Sequence, residues 1–445
     1  MKRNLKKIIK QYNLHFNNEL KKFIENNPEN LDLNDLSIIA ELNNSNRGDT
    51  AAYYTDYDTL EILNKQLPDI NKDIVYILEP SVGIGNFLDI IIKKYKEKNK
   101  VFIDVVDIDK NSIELLKVLN KYREIPSNIF INYIINDYME ENLEKRYDLI
   151  IGNPPFLKKN KVTKWNQFAK DLQDYTSKNI ASFFMQKSLA NADNVLLIMP
   201  KYFLSNSDFL YTRNICSKFA INKIVDFGES GFKGVLIETI ALLINTKEKP
   251  KNCECISITK GFTNIQSQQK LIDRNFPNWL LYRDEYFDNI VKKMKLSVFN
   301  VVRDRGITTK MLNSSEGIRV LKSRNISRDG NEILDIQNYD GYIEADILSK
   351  LPINKYRFRD DVYLSPNMTY YPRVIKKPND CVTNGSVAIL INKENDEIRK
   401  EHLEFWNSEK FDKFYAIARN YSTRSLNIDA NSVKYFGLYE GNMND

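Results

Sequence analysis

Between Ile74 and Ile244 the chain repeats one arrangement, a short β-branched apolar run followed by a longer amphipathic stretch. The runs are Ile74–Leu78, Val101–Val106, Phe130–Ile134, Leu149–Ile151, Val195–Met199, Lys223–Asp226 and Val235–Ile244. Near-continuous apolar runs suit strands that are buried on both faces, and such strands are parallel and joined by crossover helices. Asn86–Tyr95 and Lys110–Lys121 carry apolar residues at helical intervals and supply crossovers among the first four runs. The pattern predicts an α/β fold with a seven-stranded, Rossmann-like sheet.

The flanks read differently. Lys2 to Leu42 is helical in pattern, with Leu5, Ile8, Ile9, Tyr12 and Phe16 recurring every three or four residues. After Asn245 comes a polar stretch, Thr246–Asn252, and then an irregular text rich in Asn, Asp, Arg and Tyr. A chain of 445 residues exceeds what one core usually holds. The expected division is a helical lead-in over 1–47, an α/β domain over 48–250 and a separate α+β domain over 251–445.

Composition narrows the chemistry. Hydrophobic residues at 42% and charged ones at 28% place the chain among globular proteins, and a net charge of +6 permits a polyanionic partner without requiring one. Cys253-Glu254-Cys255 has no histidine at ligand spacing, since the two histidines are the distant His15 and His402, so no metal is expected. The same scarcity argues against imidazole acid–base chemistry. No apolar run is long enough to span a bilayer, and the basic Met1–Lys10 segment lacks a following apolar stretch, so the reading is cytoplasmic with no membrane partner.

The strand ends carry the candidate chemistry. Glu79-Pro80-Ser81-Val82-Gly83-Ile84-Gly85 is a glycine-containing turn between a strand and a helix, where missing Cβ atoms let backbone approach a ligand. The dinucleotide fingerprint fails, because Leu88 stands at the third glycine position. The next strand ends in Asp107-Ile108-Asp109, and a carboxylate there can accept from two ribose hydroxyls, with Asp107 the better placed. The third ends in Asp137-Tyr138, an acceptor for an adenine amino group beside a ring that could face the purine.

The fourth strand breaks at Asn153-Pro154-Pro155-Phe156. Two prolines stiffen the loop and fix its carbonyl directions. The exocyclic amine of adenine is a weak nucleophile because its lone pair is delocalised; the Asn153 side-chain oxygen and the Pro154 carbonyl could accept its two protons. Phe156 could stack on a base rotated out of the duplex.

On these residues the chain resembles the gamma-class N6-adenine DNA methyltransferases of type II restriction–modification systems. The resemblance is good from about Gly48 to Thr246. It implies S-adenosyl-L-methionine as cofactor, with Glu79, Gly83 and Gly85 at its methionine end, Asp107 at the ribose, Asp137 and Tyr138 at the adenine, and Pro80 and Ile108 as further cofactor-binding residues. It implies a catalytic set of Asn153, Pro154, Pro155 and Phe156. It also matches Tyr54 and Thr55 to a cofactor segment, although Asp56 stands where the family commonly has proline, and Phe232 to an aromatic residue that packs on the flipped base. Val195–Pro200 followed by Lys201-Tyr202-Phe203-Leu204 looks like a sixth motif.

The resemblance further implies double-stranded DNA as substrate, a restriction endonuclease on a separate chain, and a carboxy-terminal target-recognition domain. Asp304–Thr309 and Val320–Ile326 look like recurring segments of such domains, and Arg419, Tyr421, Arg424 and Lys434 are candidates for phosphate contact. Three alternatives stay open: methylation of RNA or of a protein glutamine by the same loop, methylation of cytosine N4, and a catalytically silent DNA-specificity subunit.

Overall fold

A computed structural model describes residues 5–43, 57–229, 237–424 and 427–442. The chain divides into two compact units, 1–271 and 272–445.

The first unit is built on a nine-stranded sheet of order β3-β2-β1-β4-β5-β7-β6-β8-β9. Its strands are β1 (Ile74–Pro80), β2 (Lys100–Asp107), β3 (Ile129–Ile135), β4 (Tyr147–Gly152), β5 (Ala192–Pro200), β6 (Ala220–Gly228), β7 (Thr239–Asn245), β8 (Asn252–Ser257) and β9 (Phe262–Ser267). From β3 through β5 neighbouring strands are parallel, and β7 lies antiparallel between β5 and β6. The chain starts at β1, builds outward to β3, then returns to place β4 on the other side of β1. Order therefore reverses between β1 and β4, and a crevice opens at their carboxyl ends, where open α/β sheets bind ligands.

The sheet exceeds the expected seven strands by β8 and β9, which extend its edge beyond β6. Cys253, Cys255 and Ser257 of β8 are buried while Asn252, Glu254 and Ile256 are not, the alternation of a strand covered on one face. Such alternation leaves no continuous apolar run in the sequence. The two strands belong to the first unit, so its limit falls at Leu271 and not at residue 250.

The amino-terminal helices Leu5–Gln11, Asn17–Asn26 and Leu33–Leu42 form no separate lead-in. Their apolar faces, including Ile9, Leu20, Phe23, Ile24, Leu36 and Ile39, pack with Leu115, Val118 and Leu119 of the helix Lys110–Leu119 and with Ile84 of the glycine turn. Burial of about 1.5–3 kcal/mol per large aliphatic side chain ties the lead-in to the turn it covers.

The second unit is α+β. It holds a four-stranded sheet (299–302, 387–392, 362–366, 375–376), a three-stranded sheet (342–343, 318–321, 381–383), and a two-stranded ladder (294–295, 438–439). The helices Glu285–Lys292, Lys400–Trp406 and Glu409–Ala418 accompany them, with an aromatic core that includes Phe287, Phe299, Trp406, Phe411, Phe414 and Tyr435.

Candidate functional site

The carboxyl ends of the first four strands converge as the sequence pattern predicts. Register pairs Pro80 with Val106, Asp107 with Ile135 and Leu78 with Ile150, so Glu79, Asp107, Asp137 and Asn153 emerge from neighbouring strands at one end of the sheet.

The glycine turn is fixed by its backbone. Gly83 and Gly85 have φ of +55° and +82°, a region that side chains rarely tolerate. A Cβ on Gly85 would come within 2.4 Å of Leu116 Cδ1. The Gly83 N–H donates to Asp107 Oδ2 at 2.7 Å, and the Asp109 N–H donates to Asp107 Oδ1 at 2.8 Å. Asp107 is thereby held to the turn it would assist. Loss of water around the carboxyl raises its pKa to about 6, against the pull of those N–H groups. Ile108 beside it is 64% exposed, an apolar surface open to a flat ligand.

Glu79 is the most unusual group in the site. It is 1% exposed, and Oε2 has no hydrogen-bond partner among the described residues. Burial drives its pKa well above the usual 4.5; Arg123 opposes this, and the charges of Asp107 and Asp89 add to it. A buried acceptor without a donor is costly, and a cationic ligand would supply one. The ammonium of an amino-acid ligand fits this position chemically.

Arg123, which the sequence reading missed, braces the turn from behind. Its guanidinium donates to the Gly85 carbonyl at 3.2 Å and to Asp89 Oδ1 at 2.6 Å, and the side chain is buried. From the amino-terminal helices, Glu41 Oε1 accepts from Asn86 Nδ2 at 3.5 Å.

The loop after β4 is pinned on both sides. Ser81 Oγ donates to the Asn153 carbonyl at 3.3 Å, linking the glycine turn to the loop. Asn179 Nδ2 donates to the Phe156 carbonyl at 3.2 Å, and the Ile180 N–H donates to the Leu157 carbonyl at 2.9 Å. Asn179 also caps the helix Ile180–Asn191. Behind that cap, buried Asp174 accepts from the Thr176 and Ser177 N–H groups, both their hydroxyls and Gln186 Nε2. Those bonds hold its carboxyl below the usual range although burial pushes it up. Pro154 is buried, Pro155 is half-buried and the Phe156 ring is 7% exposed.

One assignment comes out differently. Tyr138 does not present an open ring face: it is buried, its ring packs on Phe184 with centroids 5.0 Å apart, Lys187 Nζ lies 5.0 Å from the ring centroid, and its hydroxyl meets Ser188 Oγ at 3.1 Å. Asp137 stays half-buried and accepts the Met139 N–H at 2.9 Å, with its pKa raised chiefly by burial. Lys201 turns inward, where Nζ lies 2.8 Å from Asp226 Oδ2 and 3.3 Å from Glu238 Oε1 in a buried cluster. Tyr54, Thr55 and Phe232 lie outside the described residues.

The Eco57I restriction-modification methylase family matches residues 23–232. Type II methyltransferase M.AccI of Acinetobacter calcoaceticus is 31% identical over 252 residues, covering 52% of this chain and 43% of that protein. Type II methyltransferase M.VspI of Vibrio sp. (strain 343) is 24% identical over 240 residues, covering 53% and 57%. The chain spans about half the length of the curated relatives it matches. Among solved structures, the type IIG restriction endonuclease BpuSI aligns over 93% of this chain and 62% of its own, with 15% identity and a TM-score of 0.49. Over residues 23–232 this chain is thus similar to the Eco57I restriction-modification methylases.

Proposed function

We propose that the chain is a DNA methyltransferase of a restriction–modification system, that it uses S-adenosyl-L-methionine, and that it methylates the exocyclic N6 of an adenine rotated out of the duplex. The observation that carries the reading is the pairing of Glu79, a buried carboxyl with an unpartnered oxygen, with a rigid Asn-Pro-Pro-Phe loop at the adjoining strand end.

When bound, the cofactor would supply an electrophilic methyl group on a sulfonium centre. Glu79 would hold its ammonium, Asp107 would accept from ribose hydroxyls, Ile108 would lie along its adenine, and Asp137 would accept from the adenine amino group. The proposed acceptors for the target amine are the Asn153 side-chain oxygen and the Pro154 carbonyl, with Phe156 stacking on the base. Acceptors aimed at both amine protons localise the nitrogen lone pair toward the donor, and the loop's stiffness fixes that geometry before the base arrives. Direct transfer needs no covalent enzyme intermediate and no imidazole, consistent with the use of only two histidines in the chain.

The second unit is proposed to recognise the DNA sequence, and a separate endonuclease to cut the unmodified site. Methyl-labelled cofactor offered with duplex DNA, RNA and protein separates the substrate classes. The proposal expects label in DNA alone; label in RNA or in a protein glutamine would replace it.

A further inference from the structure

Two segments singled out in the sequence of the second unit, Asp304–Thr309 and Val320–Ile326, meet in the structure at one short turn. The Ser323 N–H donates to Ser386 Oγ at 3.0 Å, the Asn384 N–H donates to the Leu321 carbonyl at 3.2 Å, and a Cβ on Gly385 would sit 2.9 Å from Arg305 Cγ. From the same turn the Ser386 carbonyl accepts the Asn367 N–H at 2.9 Å, which anchors a loop that neither segment contains.

That loop projects Met368, Tyr370 and Tyr371, which are 66%, 60% and 60% exposed. Three large side chains standing in water within four residues are unusual for a surface that meets nothing else. The loop is nonetheless held in shape. Met368 bridges to Asn427, Thr369 Oγ1 donates to the Tyr371 carbonyl at 2.8 Å and accepts its N–H at 3.1 Å, and the Tyr370 hydroxyl donates to the Thr423 carbonyl at 3.3 Å. Its stems pair as antiparallel strands through Tyr363 with Lys376 and Leu364 with Ile375. Little ordering entropy would remain to be lost on binding.

Charge identifies the partner. Arg283, Arg319, Arg357, Arg359 and Arg399 of this unit are each paired with carboxylates, whereas exposed Arg303 and Arg328 have no carboxylate ion pair among the described residues. Arg305 and Arg324 are exposed and have no carboxylate partner among the described residues; Arg324 lies over the Tyr339 ring at 4.9 Å. Guanidinium groups without a carboxylate partner, carried by segments tied to the same turn as an apolar, aromatic tip, complement a polyanion that also offers flat apolar faces between its charges. Double-helical DNA has both, and apolar side chains that enter a base step are a known means of unstacking it.

We infer that Met368, Tyr370 and Tyr371 form a wedge that enters a base step of duplex DNA, while Arg305 and Arg324 hold phosphates nearby. This rests on the DNA-methyltransferase reading and deepens it, since the wedge contributes through stacking and the arginines through charge.

Fluorescence anisotropy with the full-length chain and duplex DNA carrying its methylation sequence, read as a function of salt, separates the two contributions. A Met368→Ala/Tyr370→Ala/Tyr371→Ala variant should bind about 10-fold or more weakly at every salt concentration with the slope unchanged, whereas Tyr371→Phe should retain affinity. An Arg305→Ala/Arg324→Ala variant should flatten the logarithmic salt slope by about two units. In a duplex carrying 2-aminopurine at successive positions, the wild type should brighten one step and the wedge variant should not. All five side chains are exposed or half-exposed at the surface, so melting temperatures should match the wild type and confirm that the variants fold. Wild-type affinity in the wedge variant, or a change in self-association of the protein alone in place of DNA binding, overturns the wedge and leaves the DNA reading standing. A wild-type chain that binds no duplex overturns both.

Discussion

Replacing Glu79 by glutamine should separate cofactor binding from stability, moving them in opposite directions. The carboxyl is 1% exposed, Oε2 has no partner among the described residues, and burial holds its pKa well above 4.5. A folded-state pKa above the unfolded one gives a contribution to stability that is full below about 4.5 and lost as pH rises through the raised value. Each unit of that elevation corresponds to about 1.4 kcal/mol. Glutamine keeps the shape and removes the ionisation, so without cofactor Glu79→Gln should be at least as stable as wild type, by a margin that grows with pH. An ammonium ligand needs the ionised form, and losing that charge-assisted bond should cost about 1.5–3 kcal/mol of affinity, roughly 10- to 150-fold. Denaturant melts across pH give the first quantity and calorimetry with S-adenosyl-L-methionine the second. Calorimetry in buffers of different ionisation enthalpy should also show proton release on binding in the wild type and none in the variant. Unchanged affinity, or a loss of several kcal/mol of stability at all pH values, would refute the assignment and make Glu79 a structural partner of Arg123.

Asp107→Ala should weaken cofactor binding by about 1.5–3 kcal/mol and leave the Gly83 and Asp109 N–H groups without their acceptor, which titration calorimetry and amide exchange can measure. With a pKa near 6, raised from 3.8, the Asp107 carboxyl favours folding fully below 3.8 and loses that contribution as pH rises through about 6, whereas cofactor affinity should fall as pH drops below about 6; Asp107→Asn should flatten both profiles. Gly85→Ala places a Cβ 2.4 Å from Leu116 Cδ1 at a φ of +82°, so it should destabilise the first unit by about 1–3 kcal/mol in denaturant melts; a change within error would mean that the turn relaxes freely.

The fold was legible where burial imposed continuous apolar runs. The strands of the sheet interior fall where those runs lie, because a strand covered on both faces has no polar alternation to hide it. Strands β8 and β9 were not legible as members of the sheet: alternating Cys253, Cys255 and Ser257 reads as polar text, and exposed Ile265 on β9 breaks the expectation of burial. Glycines and acids at strand ends could be read from spacing along the chain. Arg123 could not, since its link to the Gly85 carbonyl joins residues that only the packing of the helix Lys110–Leu119 brings together. Tyr138 was misassigned because position after a strand end does not reveal which way a ring turns, and Phe184 with Lys187 draws it into the core.

The decisive measurement is to express the chain in a host lacking DNA methylation and to identify every modified base in the host genome by mass spectrometry and sequence-resolved methylation mapping. The account predicts N6-methyladenine at one short recurring sequence, and its complete loss in an Asn153→Ala variant that still folds and still binds S-adenosyl-L-methionine. N4-methylcytosine at that sequence, an unmodified genome despite a folded chain that binds cofactor, or full methylation by the Asn153→Ala variant would contradict it.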